Sequence, residues 1–434
     1  MTTVLPTTRQ ALDPEVALAR LLGRLHPLRP EEVPLGDALD RVLARPLRAS
    51  IPVPRFDCSA MDGYAVRAAD VTVGARLSVL AEVRAGQPAA VPVTPGATVR
   101  VMTGAPLPPG ADAVVPWELT GTPETGGSPV GELHDDVPAW VEVHDAPRPR
   151  QHVRRSGEDL DADDLLAAAG DVVGPAEIAL AAATGRDTLW VTRAPVVAVL
   201  STGDEVVAPG SHLRGARVPD VNGPVLEALV RRAGGVPLRL PLVADDPEAL
   251  LQALDALSGR VDLVLTSGGA SGGAADLVAR LDGGRHPVEA VSLRMKPGKP
   301  AVLGVLDLEP GPGGGPVGFV GLPGNPVAAM VAFEMLAVPA IALLGERSGV
   351  AHEVEATAAE RLPGADGRVS LVRVRLERID DGRWQATPTG GERAHGVRSL
   401  VGSNGLAVVR NVGGVAVGES VTVRRTNWSG ARAV

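Results

Sequence analysis

Hydrophobic and polar positions follow three different rhythms along these 434 residues. From Pro14 to Leu28 apolar side chains recur at helical spacing, which predicts an amphipathic helix. A second helix is predicted over Glu31 to Arg45, with Leu35, Ala38, Leu39 and Leu43 on one face. After Pro46 short valine-rich segments are punctuated by Gly and Pro, as in RLSVLAEVRAGQPAAVPVTPGATVRVMTGAPLPPGADAVVPWE. Strands of that length and spacing predict a β domain from about residue 47 to 153. Within it, Gly121 to Val130 reads as a polar, glycine-rich, mobile loop.

From Pro195 the rhythm becomes strand, helix, strand. Val196–Leu200, Val261–Leu265 and Val317–Gly321 are continuous apolar runs, each closed by a loop of small residues. Gly223 to Ala233 reads as helix. DDPEALLQALDAL opens with an Asp cap and Pro247 in the first turn, good chemistry for starting another. Buried strands alternating with helices predict a parallel-rich sheet covered on both faces, with ligands bound beyond the carboxyl ends of its strands. From about residue 351 the short strands return (VSLVRVRLERI, RWQATPT, LAVVR, ESVTVRR), predicting a small C-terminal β domain.

The three strand-end loops are where chemistry is expected. Ser201, Thr202, Gly203, Asp204 and Glu205 place two hydroxyls, a glycine and two carboxylates at the mouth of the first strand. The plain alternative is a capped turn with solvated acids. TSGGASGGAAD follows the second strand. Ser267, Gly268, Gly269 and Ser271 would let backbone N–H groups approach a phosphate, although the spacing is neither a Walker loop nor GxGxxG. Asp276 ends that loop as a carboxylate suited to Mg²⁺. GLPGNP gives a third close-approach loop through Gly324, with Asn325 as helix cap and Pro326 in the first turn.

Composition sharpens this picture in two places. Of 42 basic residues only Lys296 and Lys299 are lysines, and both lie in MKPGKP. A chain that otherwise uses arginine and keeps two compact ammonium groups three residues apart points to an anion site. The stretch RFDCSAMDGYAV gathers the sole cysteine (Cys58), the sole tyrosine (Tyr64) and one of three phenylalanines (Phe56). A net charge of −9 supplies no general basic field for nucleic acid or anionic lipid. One cysteine excludes an intramolecular disulfide framework. The first residues lack a signal-peptide pattern, so a cytoplasmic protein is expected. Val327 to Leu344 is apolar enough to span a membrane, but Glu334, Pro339 and the preceding glycine-proline loop favour a buried helix. Together these features describe a site for a phosphorylated ligand, a divalent metal and a further anion. A nucleotide-dependent transferase, a sugar-phosphate enzyme and a non-catalytic binding module all fit that description.

The ordered motifs FDCSAMDGYAV, MTGAP, RRSGED, STGDE, SGGASGGAAD, KPGKP and GLPGNP resemble those of the molybdopterin molybdenumtransferase (MoeA) family, to which gephyrin's C-terminal domain belongs. The resemblance covers nearly the whole chain. It implies an enzyme of molybdenum-cofactor biosynthesis that takes adenylylated molybdopterin and molybdate, inserts the metal and releases AMP with Mg²⁺ present. It also implies a multidomain α/β and β fold. An N-terminal helical linker domain (10–46 plus 154–190) would be followed by an extended β domain (47–153), a MogA-like α/β domain (191–350) and a β-barrel-like C-terminal domain (351–434). The subunits would form a homodimer in which the second domain faces the partner's cleft. Molybdopterin adenylyltransferase and apo-molybdoenzymes would be its protein partners.

By the same resemblance Glu205 matches the catalytic acid, and Asp276 a carboxylate near metal and phosphates. Asp62, Thr103 and Asp159 match functional positions of the second domain, where the resemblance implies that Phe56, Met61 and Tyr64 shape a functional surface with Asp62 as its acid, in preference to simple core filling. Lys296, Lys299 and Pro300, with Arg373 and Ser399, match the molybdate-binding region. The chain departs from the usual pattern at Cys58, where Asn is usual, at Leu277, where an aromatic is usual, and at Ser292, basic in some members. These departures bear on substrate affinity more than on reaction type. Two rival readings are the adenylylation step itself and a scaffold that kept the fold without turnover.

Overall fold

The computed structural model describes residues 11–129, 136–268, 281, 286–348, 353–380, 382–391, 395–426 and 428. Its centre is a seven-stranded sheet in the order Ala11–Leu12, Val288–Leu293, Pro300–Leu306, Val317–Leu322, Leu263–Ser267, Val196–Ser201, Val236–Arg239. The last four strands run parallel, and the Val288–Leu293 and Pro300–Leu306 hairpin adds the antiparallel pairings. Leu263–Ser267 and Val317–Leu322 are buried at every position, as interior strands covered on both faces must be. Ser201 pairs with Ser267, and Ser267 with Leu322. The three strands therefore end level, and their loops leave side by side.

The apolar run after the third loop is a helix folded into the protein. Pro326–Ala332 is α-helical, Phe333–Ala337 forms a π turn, and Val338–Leu344 resumes the α-helix. Pro339 has no N–H to give Met335, and the widened turn just before it absorbs the missing bond. Nearly every side chain of the run is buried, in one core with the Pro14–Leu22 helix and the sheet. Glu334 is buried within the π turn and accepts the Trp428 indole N–H at 2.7 Å. Burial pushes its carboxyl above the usual range.

The helix expected over Glu31 to Arg45 does not form. Pro30–Pro34 is a strand paired antiparallel with Thr188–Thr192, followed by the short 3₁₀ turn Leu35–Asp37. Pro34 lacks an amide that such a helix would use, and Gly36 costs it about 1 kcal/mol. Ala38 and Leu43 still reach a core, but through non-local pairing. The first helix stops at Leu22, where Gly23 donates to Ala19 O at 3.0 Å; Leu25 and Leu28 pack into the central core beyond it. The helix of the linker region is Pro175–Ala183.

A six-stranded sheet carries the MDGYA and MTG segments on Gly63–Val66 and just beyond Ala97–Val101. Tyr64 sits 3% exposed in the core of this sheet, whereas Phe56 is 42% exposed. The expected surface is therefore split: the ring of Tyr64 fills the domain and Phe56 is left at its surface. Tyr64→Ala should destabilise this domain by about 3 kcal/mol, the cost of emptying a large buried ring site. Faster amide exchange over Gly63–Val66 with little change in the central sheet is the expected observation. Equal exchange in both proteins would contradict the assignment.

In the C-terminal region Val369–Arg378 pairs with Trp384–Pro388 on one side and Gly405–Val409 on the other. Glu353–Ala358 and Ser420–Arg425 complete a closed five-strand barrel. Met295–Lys296 adds to it in parallel at Val369 and Ser370. The KPGKP turn is thus the stitch between the central sheet and the barrel.

Candidate active site and anion pocket

A cleft of about 500 Å³ opens at the level ends of the three parallel strands. Ser201, Thr202, Gly203, Glu205, Ser267, Gly268, Gly324, Asn325 and Pro326 all line it, so these predicted residues of the three loops are brought together. Gly268 has φ +101°, and a Cβ there would lie 2.4 Å from the Thr202 carbonyl oxygen. Only glycine lets the two loops approach this closely. Beside Gly268, the Thr202 Oγ1 is buried without a hydrogen-bond partner among the described residues, although a buried hydroxyl ordinarily has one. A ligand atom in the cleft can satisfy it. Glu205 stands exposed in the cleft wall, its backbone held by Val218 N–H at 2.8 Å. Asp204 is not among the lining residues; it accepts Asp245 N–H at 3.2 Å. Asn325 takes the N-cap position with Pro326 behind it, but its side chain makes no capping bond and remains available to the cleft.

The sequence reading missed three residues here. Asp220 is buried and accepts from Ser201 Oγ at 3.1 Å and Gly223 N–H at 2.9 Å, while Arg239 donates to its other oxygen at 3.1 Å. Asn222 donates to Ser267 Oγ at 2.5 Å and to the Gly324 carbonyl at 2.7 Å. Asp245 brings a second exposed carboxylate. For Asp220 and Asn222 the signal was DVN between a strand and a helix, polar residues placed where a parallel sheet opens its ligand site; nothing local marks Asp245.

Among the described residues no three His, Cys, Asp or Glu side chains form a metal cluster. The cleft's oxygen donors include the Glu205 and Asp245 carboxylates and the Thr202 hydroxyl, all hard. That set fits Mg²⁺, which keeps several waters and takes its remaining ligands from one or two carboxylates and phosphate oxygens. Asp276, Gly269, Ser271 and Leu277 lie outside the described residues.

The second-domain residues form their own constellation, and none lines the cleft. Asp62 Oδ1 accepts both the backbone N–H (2.6 Å) and the hydroxyl (2.8 Å) of Thr103, so the MDGYA and MTG loops lock together. Asp57 accepts Ser156 N–H and then the Arg150 guanidinium, which hold its carboxyl below the usual range. Asp159 is exposed on the following loop, its N–H bonded to Val53 O at 3.0 Å. Cys58 is buried in the strand pair with Val153–Arg154.

The KPGKP turn opens on a second cavity of about 170 Å³. Gly298, at φ +102°, turns the chain so that Leu293 N–H meets Lys299 O at 2.6 Å. Lys296 lines the cavity together with Arg361 and Arg373 of the barrel, and no carboxylate does among the described residues. Arg373 is buried, donating to Ser399 Oγ at 3.3 Å and Gly391 O at 2.6 Å, which fixes its plane. Three cations around a small cavity suit a compact anion. Lys299 is exposed and lines no part of it, and Pro300 begins the next sheet strand. Arg361 was not anticipated, because nothing in its local sequence marks it.

Comparison with known proteins accounts for the combination. Profiles of the MoeA N-terminal region (domain I and II), a probable molybdopterin binding domain and the MoeA C-terminal region (domain IV) match residues 12–185, 198–343 and 355–425. The chain is 33% identical to a molybdopterin molybdenumtransferase of Haemophilus influenzae, over 95% of this chain and 98% of that one. It is 35% identical to molybdopterin molybdenumtransferase 2 of Mycobacterium tuberculosis, over 91% and 95%. The solved molybdopterin biosynthesis MoeA protein of Pyrococcus horikoshii superposes with a TM-score of 0.75 at 29% identity, over 97% of this chain and all of that one. With a strand-end cleft, a locked β-domain loop pair and a basic pocket at the barrel seam, all three regions in order, the chain belongs to the MoeA family.

Proposed function

We propose that this protein inserts molybdenum from molybdate into adenylylated molybdopterin, releasing AMP. The observation that carries this reading is the Lys296–Arg361–Arg373 pocket, supplied jointly by the central domain and the barrel. An enzyme that only adenylylates needs the cleft; a place for a second, compact anion answers to molybdate.

The cleft receives the phosphorylated end of the pterin. Backbone N–H groups of the Gly268 and Gly324 loops and the Thr202 hydroxyl hold its phosphate oxygens, while Asp220 and Asn222 keep the three loops in register. Magnesium, held by Glu205 and Asp245 with the ligand's phosphate oxygens and by Asp276 as the family resemblance implies, would offset charge building on the anhydride. Glu205 takes a proton from the attacking water; the water oxygen bonds to phosphorus as the anhydride bond breaks, and the AMP phosphate leaves. Lys296, Arg361 and Arg373 hold molybdate by charge-assisted hydrogen bonds. The two dithiolene thiols replace one molybdate oxygen, which departs with their protons as water.

The protein works as a homodimer in the cytoplasm, taking its substrate from a molybdopterin adenylyltransferase and passing product to apo-molybdoenzymes. Support for the dimer comes from the Asp62–Thr103 pair, which lies on a domain that lines no part of its own cleft. Mixing inactive Asp62→Ala subunits with inactive Glu205→Gln subunits should therefore restore part of the activity in heterodimers. Heterodimers that form but stay inactive would place both residues in one subunit's site.

A further inference from the structure

Asn222 has one side-chain nitrogen, and both of its protons are spent within the protein. One goes to Ser267 Oγ at 2.5 Å and the other to the Gly324 carbonyl at 2.7 Å. The Gly324 carbonyl can only accept, so a reversed amide would set oxygen against oxygen there. The orientation is fixed from outside the residue, by two loops that themselves end level in the sheet. What remains is Oδ1, which has no hydrogen-bond partner among the described residues although Asn222 lines the cleft. An amide oxygen offers lone pairs and no proton. A phosphate oxygen, equally rich in lone pairs, has nothing to give it. The wall that continues from Asn222 is apolar (Val221, Pro219, Val218, Val206), a surface for the face of a ring system.

We propose that Asn222 presents a fixed acceptor that recognises a hydrogen-bond donor of the ligand, an N–H or O–H group, and disfavours phosphate at that point of the cleft. The inference rests on the cleft being the adenylylated-pterin site. It divides that site into a phosphate side, lined by Gly268 and Thr202, and a donor-reading side at Asn222. The donor has two sources: a group of the ligand itself, such as a heterocycle N–H, or a water bound to the cation.

The test is isothermal titration of the full chain and its Asn222→Ala and Asn222→Asp variants. Adenylylated molybdopterin and inorganic pyrophosphate serve as separate ligands, each with Mg²⁺ and with EDTA. Asn222→Ala removes the acceptor and should weaken the adenylylated pterin about tenfold, the worth of one well-placed hydrogen bond. Pyrophosphate should weaken less, by about threefold, because it loses only the tie between the Ser267 and Gly324 loops and no direct partner. Asn222→Asp sets a carboxylate oxygen against the Gly324 carbonyl and adds charge beside phosphate, so it should weaken both ligands at least about tenfold and shows what loss of the brace looks like. A pterin-selective loss in EDTA as well as in Mg²⁺ assigns the donor to the ligand; a loss seen only with Mg²⁺ assigns it to metal-bound water. Equal losses of both ligands in Asn222→Ala would overturn the proposal and leave Asn222 a brace between loops. If the wild type binds no adenylylated pterin, the reading of the cleft has failed. AMP, with its amino and hydroxyl donors, then replaces the pterin against pyrophosphate and decides the role of Asn222 by the same two patterns.

Discussion

Glu205→Gln should lower turnover by about two to four decades, the range typical of losing a positioned acid or base. The fold should hardly notice. Glu205 is exposed, and the contact that places its segment, Val218 N–H to the Glu205 backbone oxygen, does not involve the side chain. Gln keeps the length and one oxygen, so it can still touch a cation or phosphate, but it cannot take a proton from water. The loss should therefore appear in kcat with KM for the adenylylated pterin nearly unchanged. Single-turnover AMP release with wild type and variant measures it. Activity retained within tenfold would remove Glu205 from the proton-transfer step.

Lys296→Ala carries the second large effect. The side chain lines the cavity opposite a buried arginine whose orientation is fixed by Ser399 and Gly391. A charge-assisted hydrogen bond to a doubly charged anion is worth about 1.5–3 kcal/mol. The molybdate requirement should accordingly rise roughly ten- to a hundredfold, at about 1.4 kcal/mol per decade. Affinity for the adenylylated pterin should stay nearly constant, since the cleft is a separate cavity. Lys296→Arg should be only partly active, because the planar fork is bulkier and aims its donors differently. Lys299→Ala should have the smaller effect, since Lys299 is exposed and lines no part of the cavity. Titrating molybdate against AMP release for the three variants checks the order. An effect confined to pterin affinity would mean that the pocket holds phosphate and not molybdate.

Where local pattern and long-range pairing agree, the chain was readable. The three apolar strands and their loops were visible because a buried parallel strand must be apolar throughout and must end in residues that let a ligand approach. The barrel strands and the buried character of Val327–Leu344 were legible too: a return of short strand-like segments in one case, an internal Glu and Pro in the other. The failures have a common cause. Glu31 to Arg45 carries a helical spacing of apolar residues, yet its partner, Thr188–Thr192, lies far along the chain and contributes nothing to a local pattern. Tyr64 looked functional because it is rare, and rarity does not distinguish a ring packed on valines from one facing a substrate. The two lysines were read as an anion site, but their place at the barrel seam, and which of them enters the cavity, depends on the turn at Gly298 and the pairing of Met295 with Val369. Arg361, Asp220 and Asn222 acquire meaning only once distant loops are brought beside them.

The proposed reaction couples metal insertion to cleavage of the adenylyl anhydride. The measurement that tests it most directly is incubation of the purified protein with adenylylated molybdopterin and Mg²⁺, with and without molybdate, following AMP and molybdenum cofactor together. AMP release should depend on molybdate and match the cofactor formed. Consumption of ATP and molybdopterin to give adenylylated product, with no molybdate-dependent AMP release, would contradict it.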